Sequence, residues 1–536
     1  MEKKRTLTSE LEEMDGALIR LLGKRSRLLS KAAGSRKQKK KSLVDPGQEK
    51  QLWQNWRAQA ETQGLDERMM HSLFHLVNGL GYERLERKKD WEFELCPSKE
   101  PVRMDLKGPG DILLSRMWVF MGAAAGAPLQ LSGAVLNDPL FELIKGLNQA
   151  GGAFFWEKDL VSCRGGQGPG FDRKTVFVGQ DPFNLYLLIF LAATKPGVCR
   201  FSGGSRLKLI DLRPVEKIVR ALGGRMISLV PGSRGLPVRL ESSGRIDAGL
   251  DLPPDACPDM IQALVLTLAA RLEPEAEAFL KQEDGGGLIL DQPRVFRVLT
   301  AAGGRFRRQE RGWVITGGRL DMPERPGLPL DPVFCGYLLA MAFVSRGRAV
   351  IQGEFPLDLP ESATVLELFE KLGMEVTVDS EGVKGNFLRE ETPFLSVDTR
   401  GKAWLLPLAL ALVLCRQKEA ELMVLPGEDL DFALVLLDGL GAAYSLSDDR
   451  LSIQGGLNLH DCPEVKMLTL HPWWSMALAV MALKRPRLIV KNPGELTRLW
   501  PQFWSLFKGL PDPGRVRETA DPKTAGQRRK MRKKIS

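Results

Sequence analysis

The segment Glu216–Val230, EKIVRALGGRMISLV, contains the pattern that decides the fold of most of this chain. Apolar residues at helical spacing lead to two glycines, which are followed by an apolar and β-branched run. A glycine just past the last helical turn can adopt the left-handed conformation that ends a helix. The segment therefore predicts a helix, a stop at Gly224 and then a strand.

This pattern of helix, glycine stop and strand occurs five times. The predicted stops are Gly152, Gly224, Gly304, Gly373 and Gly441. They lie about 70 to 80 residues apart, which is more than one hairpin or one βαβ unit can occupy. Each repeat should therefore be a small α/β subdomain that buries one apolar helix face against its own strands, and about 400 residues share this plan.

Length and composition limit the class of protein. With 536 residues, of which 43% are hydrophobic, the chain should form about three to four domain-sized units. Seven cysteines are scattered without a CxxC motif, so neither a disulfide framework nor a zinc site is expected. The N-terminus has charged residues where a signal peptide needs an apolar centre, and no apolar run is long enough to span a bilayer. We therefore expect a soluble, cytoplasmic protein without a membrane partner.

Much of the net charge of +10 lies in two segments, Arg36–Lys41 and Arg528–Lys534. Either segment could contact nucleic acid or another anionic partner. No aromatic residues alternate with the charges of the tail, so we favour a solvated loop and a disordered basic tail over residues 511–536, and we do not expect a nucleic-acid partner. His71 and His75 lie one helical turn apart, but without a third ligand nearby they are not expected to bind a metal.

The N-terminal part of the chain has the apolar spacing of helices. A spacing of three to four residues between leucines predicts one long helix from residue 6 to about residue 40. Asp45 and Pro46 resemble an N-cap and a first-turn proline, which start a second helix that ends near Gln63. A third helix follows the stop and start signals at Gly64–Asp66. A helix as long as the first needs a partner to bury its apolar stripe, so we expect an intertwined homodimer through it.

Arg25 interrupts the apolar stripe of the first helix. Arg36 lies about three turns further along on the same face. Two guanidinium groups would thus point into a helical core. One interpretation is a pair of internal salt bridges with Asp45 and Glu49. The other is a pocket for a dicarboxylate.

The order of these helices resembles the all-helical chorismate mutases. The resemblance covers residues 5 to about 85 and rests on TLTSELEEMDGALIRLLGKRSRL (6–28), LVDPGQEKQL (43–52) and GLDERMMHSLFHLV (64–77). It implies an all-α three-helix domain over residues 1–88 that rearranges chorismate to prephenate. Enzymes of this family fold the substrate and stabilise the oxygen of the breaking bond electrostatically, so the resemblance implies neither a nucleophile nor a cofactor.

The resemblance also implies a set of site residues. In this family, arginines and a lysine hold the carboxylates and the ether oxygen of chorismate, and a glutamate meets its hydroxyl. The matching candidates for catalysis are Arg25, Arg36, Lys37 and Glu49, and those for substrate binding are Asp45, Gln48 and Arg5. The chain departs from the family pattern at Thr8, Gln48, Gly81 and Leu85. Since these departures remove charge-assisted contacts, they predict weak activity.

Residues 102–510 resemble 5-enolpyruvylshikimate-3-phosphate (EPSP) synthase, a 3-phosphoshikimate 1-carboxyvinyltransferase. Besides the glycine stops, the matching segments are VRMDLKGPGDILLSRMWVF (102–120), SGGSRLKLIDLRPVEKIVRALGG (202–224) and LTRLWPQFWSLFKGL (496–510). The resemblance implies an α+β fold of two domains built from six βαβαββ repeats. By that topology the domains are residues 111–327, and residues 102–110 plus 328–510, with residues 89–101 as the linker to the helical domain. The anionic substrates would meet in the cleft between the two domains.

Most of that family's site residues are replaced in this chain. A site that joins shikimate 3-phosphate to phosphoenolpyruvate needs many arginine and lysine donors and carboxylates for proton transfer. The partial matches are Arg116, Asp331 and Arg498. The replaced positions include Asp111, Ile112, Cys257–Asp259, Ala403, Pro426, Asp429 and His471–Trp473. We therefore expect a largely inactive or repurposed transferase domain.

Several functional hypotheses remain open on this sequence. The leading one is a chorismate mutase of the shikimate and aromatic amino-acid pathway, whose partner is a small anionic substrate. A second is a non-catalytic regulator or scaffold that binds pathway metabolites or enzymes, and a third is residual transferase activity. His471 with Trp473 and Trp474 could line a new pocket or form the edge of an aromatic core.

Overall fold

The computed structural model describes residues 7–38, 46–66, 70, 73–74, 77, 92–230, 233–281, 292–309, 312–388, 394–416, 418–455, 457, 459, 462, 466–469, 471–485 and 488–513. The N-terminal part contains the helices α1 (Leu7–Gln38) and α2 (Pro46–Thr62), so the first two predicted helices are confirmed to within about two residues. Met70, Leu73, Phe74 and Val77 are also helical, as the predicted third helix requires.

The rest of the described chain alternates between helices and short strands. The helices are α3 (Ile112–Ala125), α4 (Asp138–Gln149), α5 (Pro182–Ala193), α6 (Ser205–Leu209), α7 (Arg213–Ala221), α8 (Pro258–Arg271), α9 (Pro293–Ala301), α10 (Pro332–Val344), α11 (Pro360–Lys371), α12 (Leu405–Arg416), α13 (Glu428–Leu440), α14 (Pro472–Ala482), α15 (Gly494–Leu499) and α16 (Phe503–Gly509).

The strands are β1 (Glu92–Leu95), β2 (Arg103–Lys107), β3 (Leu129–Ser132), β4 (Phe154–Glu157), β5 (Leu160–Cys163), β6 (Thr175–Phe177), β7 (Gly197–Ser202), β8 (Gly224–Ser228), β9 (Val238–Ser242), β10 (Gly249–Asp251), β11 (Glu277–Lys281), β12 (Arg305–Gln309), β13 (Gly312–Thr316), β14 (Arg348–Gln352), β15 (Met374–Asp379), β16 (Gly382–Phe387), β17 (Leu395–Asp398), β18 (Ala420–Met423), β19 (Tyr444–Ser447), β20 (Arg450–Ile453), β21 (Lys466–Leu468) and β22 (Leu488–Lys491).

Six helices are apolar on nearly all sides and lie inside the molecule. A helix with this composition is stable in water only when other elements surround it. Helices α3, α5 and α8 pack together in one hydrophobic core, and α10, α12 and α14 pack together in a second one. We call the part from α3 to β13 the first lobe, and the part made of β1, β2 and α10 to α16 the second lobe.

Two passages of the chain connect the lobes. At their meeting point Gly110 pairs with Leu330 in an antiparallel bridge, and the Asp331 amide donates to Pro109 O at 2.9 Å. The chain thus crosses from the second lobe to the first just before α3 and returns just before α10. This arrangement matches the predicted topology in outline, while the predicted domain boundaries stay a prediction.

Small mixed sheets cover the buried helices. The described strands form six sheets of three or four strands, and one of them has the order β6-β7-β9-β8, with β6 and β7 parallel and the other pairs antiparallel. Apart from the short extra helix α6, the elements from β6 to β9 follow the order strand, helix, strand, helix, strand, strand, and so do those from β10 to β13. The α+β fold is therefore confirmed, and the count of six βαβαββ repeats stays a prediction.

The glycine stops exist, but their position needs a correction where two glycines are adjacent. Gly223, with φ of 71°, takes the left-handed conformation predicted for Gly224. A Cβ on Gly224 would lie 2.8 Å from Val219 Cγ1, so the second glycine serves the close approach of the helix to its strand. The same shift by one residue occurs at Gly151 and Gly303, whereas Gly373 and Gly441 have positive φ where predicted.

Candidate functional site

Arg25 lies against aromatic rings in the helical segment. Its guanidinium carbon is 5.3 Å from the ring centroid of Trp56 on α2 and 5.7 Å from that of Phe74. The two rings contact each other edge to face at 5.3 Å, and Trp53 lies 5.5 Å from Phe74. A cation near aromatic faces is attracted by their quadrupoles, so this aromatic clamp (Trp56 and Phe74) orients the Arg25 guanidinium.

For the other predicted residues of this site, the structure either describes only the helix to which they belong or does not describe them. Arg36 and Lys37 belong to the end of α1, and Gln48 and Glu49 belong to the first turn of α2. Arg5 and Asp45 lie outside the described residues. The roles of all these residues therefore stay predictions.

The apolar stripe of α1 is exposed to solvent in the single chain. Met14, Leu18, Leu21 and Leu28 follow each other at heptad-like spacing and are 55% to 69% exposed. Arg25 continues the same spacing and is half-buried. Contiguous apolar surface of this kind is rare on monomers and is typical of surfaces that meet another chain.

A buried ionic cluster connects the two lobes at their junction. Asp111 caps α3 and Asp331 caps α10, each accepting hydrogen bonds from two amides at the start of its helix. Arg294 on α9 donates to Asp111 Oδ2 at 2.8 Å and to Glu361 Oε1 on α11 at 2.7 Å. Burial, and after it the charge of Asp111, raises the pKa of Asp331, and the charge of Arg294 offsets part of that rise. The retained Asp331 is thus part of an internal network.

Arg116, the second partial match, is engaged inside the first lobe. Its Nη1 donates to Asp181 Oδ1 at 2.7 Å, and its guanidinium lies 5.0 Å from the ring centroid of Phe183. Burial raises the pKa of the neighbouring Asp259, and the charge of Arg116 offsets part of that rise. Burial also raises the pKa of Tyr186. Arg116 therefore already has a carboxylate partner within the chain.

Arg498, the third partial match, faces carboxylates of the first lobe. Its Nε lies 3.3 Å from Asp138 Oδ2, and its Nη2 lies 4.0 Å from Glu142 Oε1. Its Nη1 lies 3.9 Å from Glu495 on its own helix. Burial raises the pKa of Glu142, while a hydrogen bond from the Gln180 amide and the charge of Arg498 lower it.

His471 and the adjacent tryptophans belong to the edge of the second core. His471 Nε2 lies 2.5 Å from Asp429 Oδ1, and the same oxygen accepts from the Trp474 indole at 2.8 Å. Trp474 is fully buried, and Trp473 stacks on Tyr337 with ring centroids 6.2 Å apart. The aromatic-core interpretation fits these contacts, and the pairing of His471 with Asp429 was not predicted.

The described residues offer no metal site and no membrane span. Among them, no group of three or more histidine, cysteine, aspartate or glutamate side chains could hold a metal ion. Within the same ranges, no helix is long and apolar enough to cross a membrane.

Comparison with known proteins identifies the helical segment first. Residues 7–80 match the family model described as chorismate mutase type II. This match contains Arg25 together with the Trp56 and Phe74 rings that hold it.

Two curated relatives resemble the larger part of the chain. A 3-phosphoshikimate 1-carboxyvinyltransferase of Syntrophobacter fumaroxidans is 21% identical over 438 residues, which cover 76% of this chain and 97% of the relative. The enzyme of the same name from Opitutus terrae is 22% identical over 269 residues, and the match spans 49% of this chain and 61% of that relative.

Solved structures show the same fold. An EPSP synthase from Acinetobacter baumannii has a TM-score of 0.62 at 15% identity, covering 77% of this chain and 96% of that structure. The enolpyruvyl transferase NikO from Streptomyces tendae has a TM-score of 0.60 at 16% identity and covers 78% and 96%. The chain is therefore a fusion in which a segment that matches the chorismate mutase type II family precedes a region with the fold of the EPSP synthases.

Proposed function

We propose that this protein acts in the shikimate and aromatic amino-acid pathway and that its helical segment, residues 1–88, rearranges chorismate to prephenate. The observation that carries the proposal is the position of Arg25 within the family match, half-buried and held by Trp56 and Phe74. A guanidinium in such a place has a fixed direction and is partly removed from water. Both properties strengthen its attraction for a carboxylate or for a developing negative charge.

The rearrangement needs positioning and electrostatics. The two carboxylates of chorismate must be held so that the reacting carbons approach each other, and negative charge that grows on the ether oxygen must meet a donor. Arg25 would hold one of these anionic groups. Arg36, Lys37 and Glu49 are the proposed catalytic partners, and Asp45, Gln48 and Arg5 are the proposed binding residues.

We propose a homodimer through α1 as the form that carries this site. The support is the exposed stripe of Met14, Leu18, Leu21 and Leu28, which a second copy of the helix would cover. Each fully buried leucine of such an interface contributes about 1.5 to 3 kcal/mol of transfer free energy, which works against the entropic cost of bringing two helices together.

The large region, residues 102–510, is proposed to be largely inactive or repurposed as a carboxyvinyltransferase. Arg116, Asp331 and Arg498 are its remaining matches to a site for anionic substrates, and each interacts with charged groups of the chain itself. An anionic substrate that bound Arg116 or Arg498 would have to displace Asp181 or Asp138, and the displaced carboxylate would then lose its partner. This competition lowers the gain that a bound phosphate would bring.

A test on the full chain separates the proposed activities. Purified protein is incubated with chorismate, and the loss of chorismate and the appearance of prephenate are followed against the uncatalysed rate. Prephenate formation above that rate supports the mutase. Its absence favours the second hypothesis, a metabolite-binding regulator or scaffold of the same cytoplasmic pathway, which direct binding of chorismate by calorimetry would then examine.

A further inference from the structure

We infer that the two lobes of the large region are held together by ion pairs of the chain itself, so that the region is closed without a bound ligand. The inference goes beyond the proposed function, since it concerns a conformational state and does not depend on chorismate mutase activity. It rests on two groups of contacts, which we call the α9 bracket and the α15 bracket.

The α9 bracket connects the first lobe to the start of α11. Helix α9 is fixed in the first core through Val295 and Val298, and α11 is fixed in the second core through Val365. The α9 bracket consists of two arginines of the first lobe and three carboxylates of the second lobe. They are Arg294 and Arg297, and Glu354, Asp358 and Glu361.

Within the α9 bracket, the innermost contact is the best shielded from water. The Arg294 side chain is 12% exposed and that of Glu361 is 23% exposed, and their N and O atoms are 2.7 Å apart. Arg297 donates to Asp358 Oδ1 at 2.7 Å and also pairs with Glu354. Because the Arg294–Glu361 pair is largely shielded from water, it is stronger than ordinary surface pairs, whose contribution is small and screened by salt.

The α15 bracket connects the second lobe to α4. Leu496 places α15 in the second core, and Leu140 places α4 in the first core. Asn137 Nδ2 donates to the Leu499 carbonyl at 3.1 Å, and Arg498 faces Asp138 at 3.3 Å.

A third contact of this bracket joins Arg206 of the first lobe to Glu495 of α15 at 3.6 Å. Arg206 and Arg498 are more exposed than Arg294, so these contacts contribute less than the Arg294–Glu361 contact.

The brackets explain how closure can occur without a substrate. In a cleft that closes around anions, the ligand supplies the negative charge that attracts arginines of both lobes. Here Glu361 of the second lobe supplies that charge to Arg294 of the first lobe, and Asp138 of the first lobe supplies it to Arg498 of the second lobe. Lobe closure is therefore independent of anionic ligands.

The test compares two triple variants of the full chain by small-angle X-ray scattering at equal protein concentration. Glu354→Gln/Asp358→Asn/Glu361→Gln removes the carboxylates of the α9 bracket and leaves the buried contact between Arg294 and Asp111 in place. Glu275→Gln/Glu277→Gln/Glu367→Gln removes three carboxylates that pair within a single lobe and serves as the matched control.

We expect the bracket variant to have a larger radius of gyration and maximum dimension than the wild type, and the control to be unchanged. Arg297→Gln alone should produce a smaller expansion in the same direction. Addition of shikimate 3-phosphate with phosphoenolpyruvate should leave the wild-type scattering unchanged. Identical scattering of wild type and both bracket variants, or compaction of the wild type on adding these anions, would overturn the inference.

Discussion

The carboxylate of Asp331 extends across the lobe junction to the helix that begins at Asp111. It accepts a hydrogen bond from the first amide after Asp111, with 3.5 Å between Ile112 N and Asp331 Oδ2. Both carboxylates are almost fully buried, and Arg294 lies beside them. Two acidic groups thus lie near one guanidinium, which donates to Asp111 and to Glu361, in a place from which water is largely excluded.

This crowding predicts a pH dependence of stability. Burial, and after it the negative charge of Asp111, raises the pKa of Asp331 above its ordinary value. The folded protein therefore holds the Asp331 proton more tightly than the unfolded chain does, so stability is lost as pH rises through the raised pKa. We expect Asp331→Asn, which keeps a capping oxygen and cannot ionise, to gain about 1 to 3 kcal/mol relative to the wild type between acidic and neutral pH.

Urea denaturation at several pH values measures this difference. Asp398→Asn is the control of opposite sign, since a hydrogen bond from Arg400 lowers the pKa of Asp398 and its loss should cost stability as pH rises. A stability difference between Asp331→Asn and the wild type that stays constant with pH would contradict the prediction.

Arg25→Ala should abolish most chorismate mutase turnover while the helical segment stays folded. Loss of one electrostatic donor to a transition state typically lowers kcat about 100-fold to 1000-fold. Arg25→Lys should recover a part of the rate, because lysine keeps the positive charge but lacks the planar guanidinium group. Arg20→Ala, an exposed position of the same helix, is the control and should keep the wild-type rate. Equal rates for the Ala variants at positions 20 and 25 would remove Arg25 from the site.

Trp56 should act on turnover through Arg25. A cation–π contact contributes about 0.5 to 2 kcal/mol, so Trp56→Leu is expected to lower kcat/KM by roughly threefold to thirtyfold. Trp56→Phe, which keeps an aromatic face, should restore much of the loss. Trp53→Leu removes the other tryptophan that packs on Phe74 and is the matched packing control. If Trp53→Leu and Trp56→Leu have the same effect and phenylalanine gives no rescue, the clamp has only a structural role.

The dimer prediction concerns side chains that the single chain leaves exposed. Leu18→Glu/Leu21→Glu should convert a dimer to a monomer with little loss of helix content, because the two leucines are 55% and 64% exposed in the single chain. Light scattering of the full chain gives the mass, and circular dichroism gives the helix content. Arg20→Glu is the control on the same helix. A wild-type protein that is already monomeric at micromolar concentration would rule out the dimer and any shared site.

The large region should not make enolpyruvylshikimate phosphate at a normal rate. Each lost transition-state donor typically costs about 100-fold to 1000-fold, so two or three losses bring turnover near background. Complementation of cells without their own synthase, together with a coupled phosphate-release assay, measures this. Growth without aromatic supplements, or phosphate release that requires both substrates, would show that other residues have replaced the missing ones.

The sequence predicts the local elements well, because helix periodicity and glycine stops depend only on residues that are close to one another in the chain. It places the left-handed glycine at Gly224 instead of Gly223, since either glycine of a pair satisfies the same local rule. The buried ionic cluster at the lobe junction was not predicted, for a different reason. Arg294 and Asp111 are separated by 183 positions, and no periodic pattern relates an arginine on one helix to a carboxylate that caps another. The same applies to the contact between His471 and Asp429.

The pairing of strands also sets the order in which the two lobes can fold during synthesis. Every strand of the first lobe comes from one continuous stretch, whereas β1 needs β22 and β2 needs β14. The amide of Arg103 even donates to Pro511 O at 2.7 Å, so the second lobe becomes complete only when nearly the whole chain has emerged. A chain that terminates before Leu488 would keep a finished first lobe and expose Glu92–Leu95 as an unpaired edge, which is the kind of surface that chaperones and aggregating strands recognise.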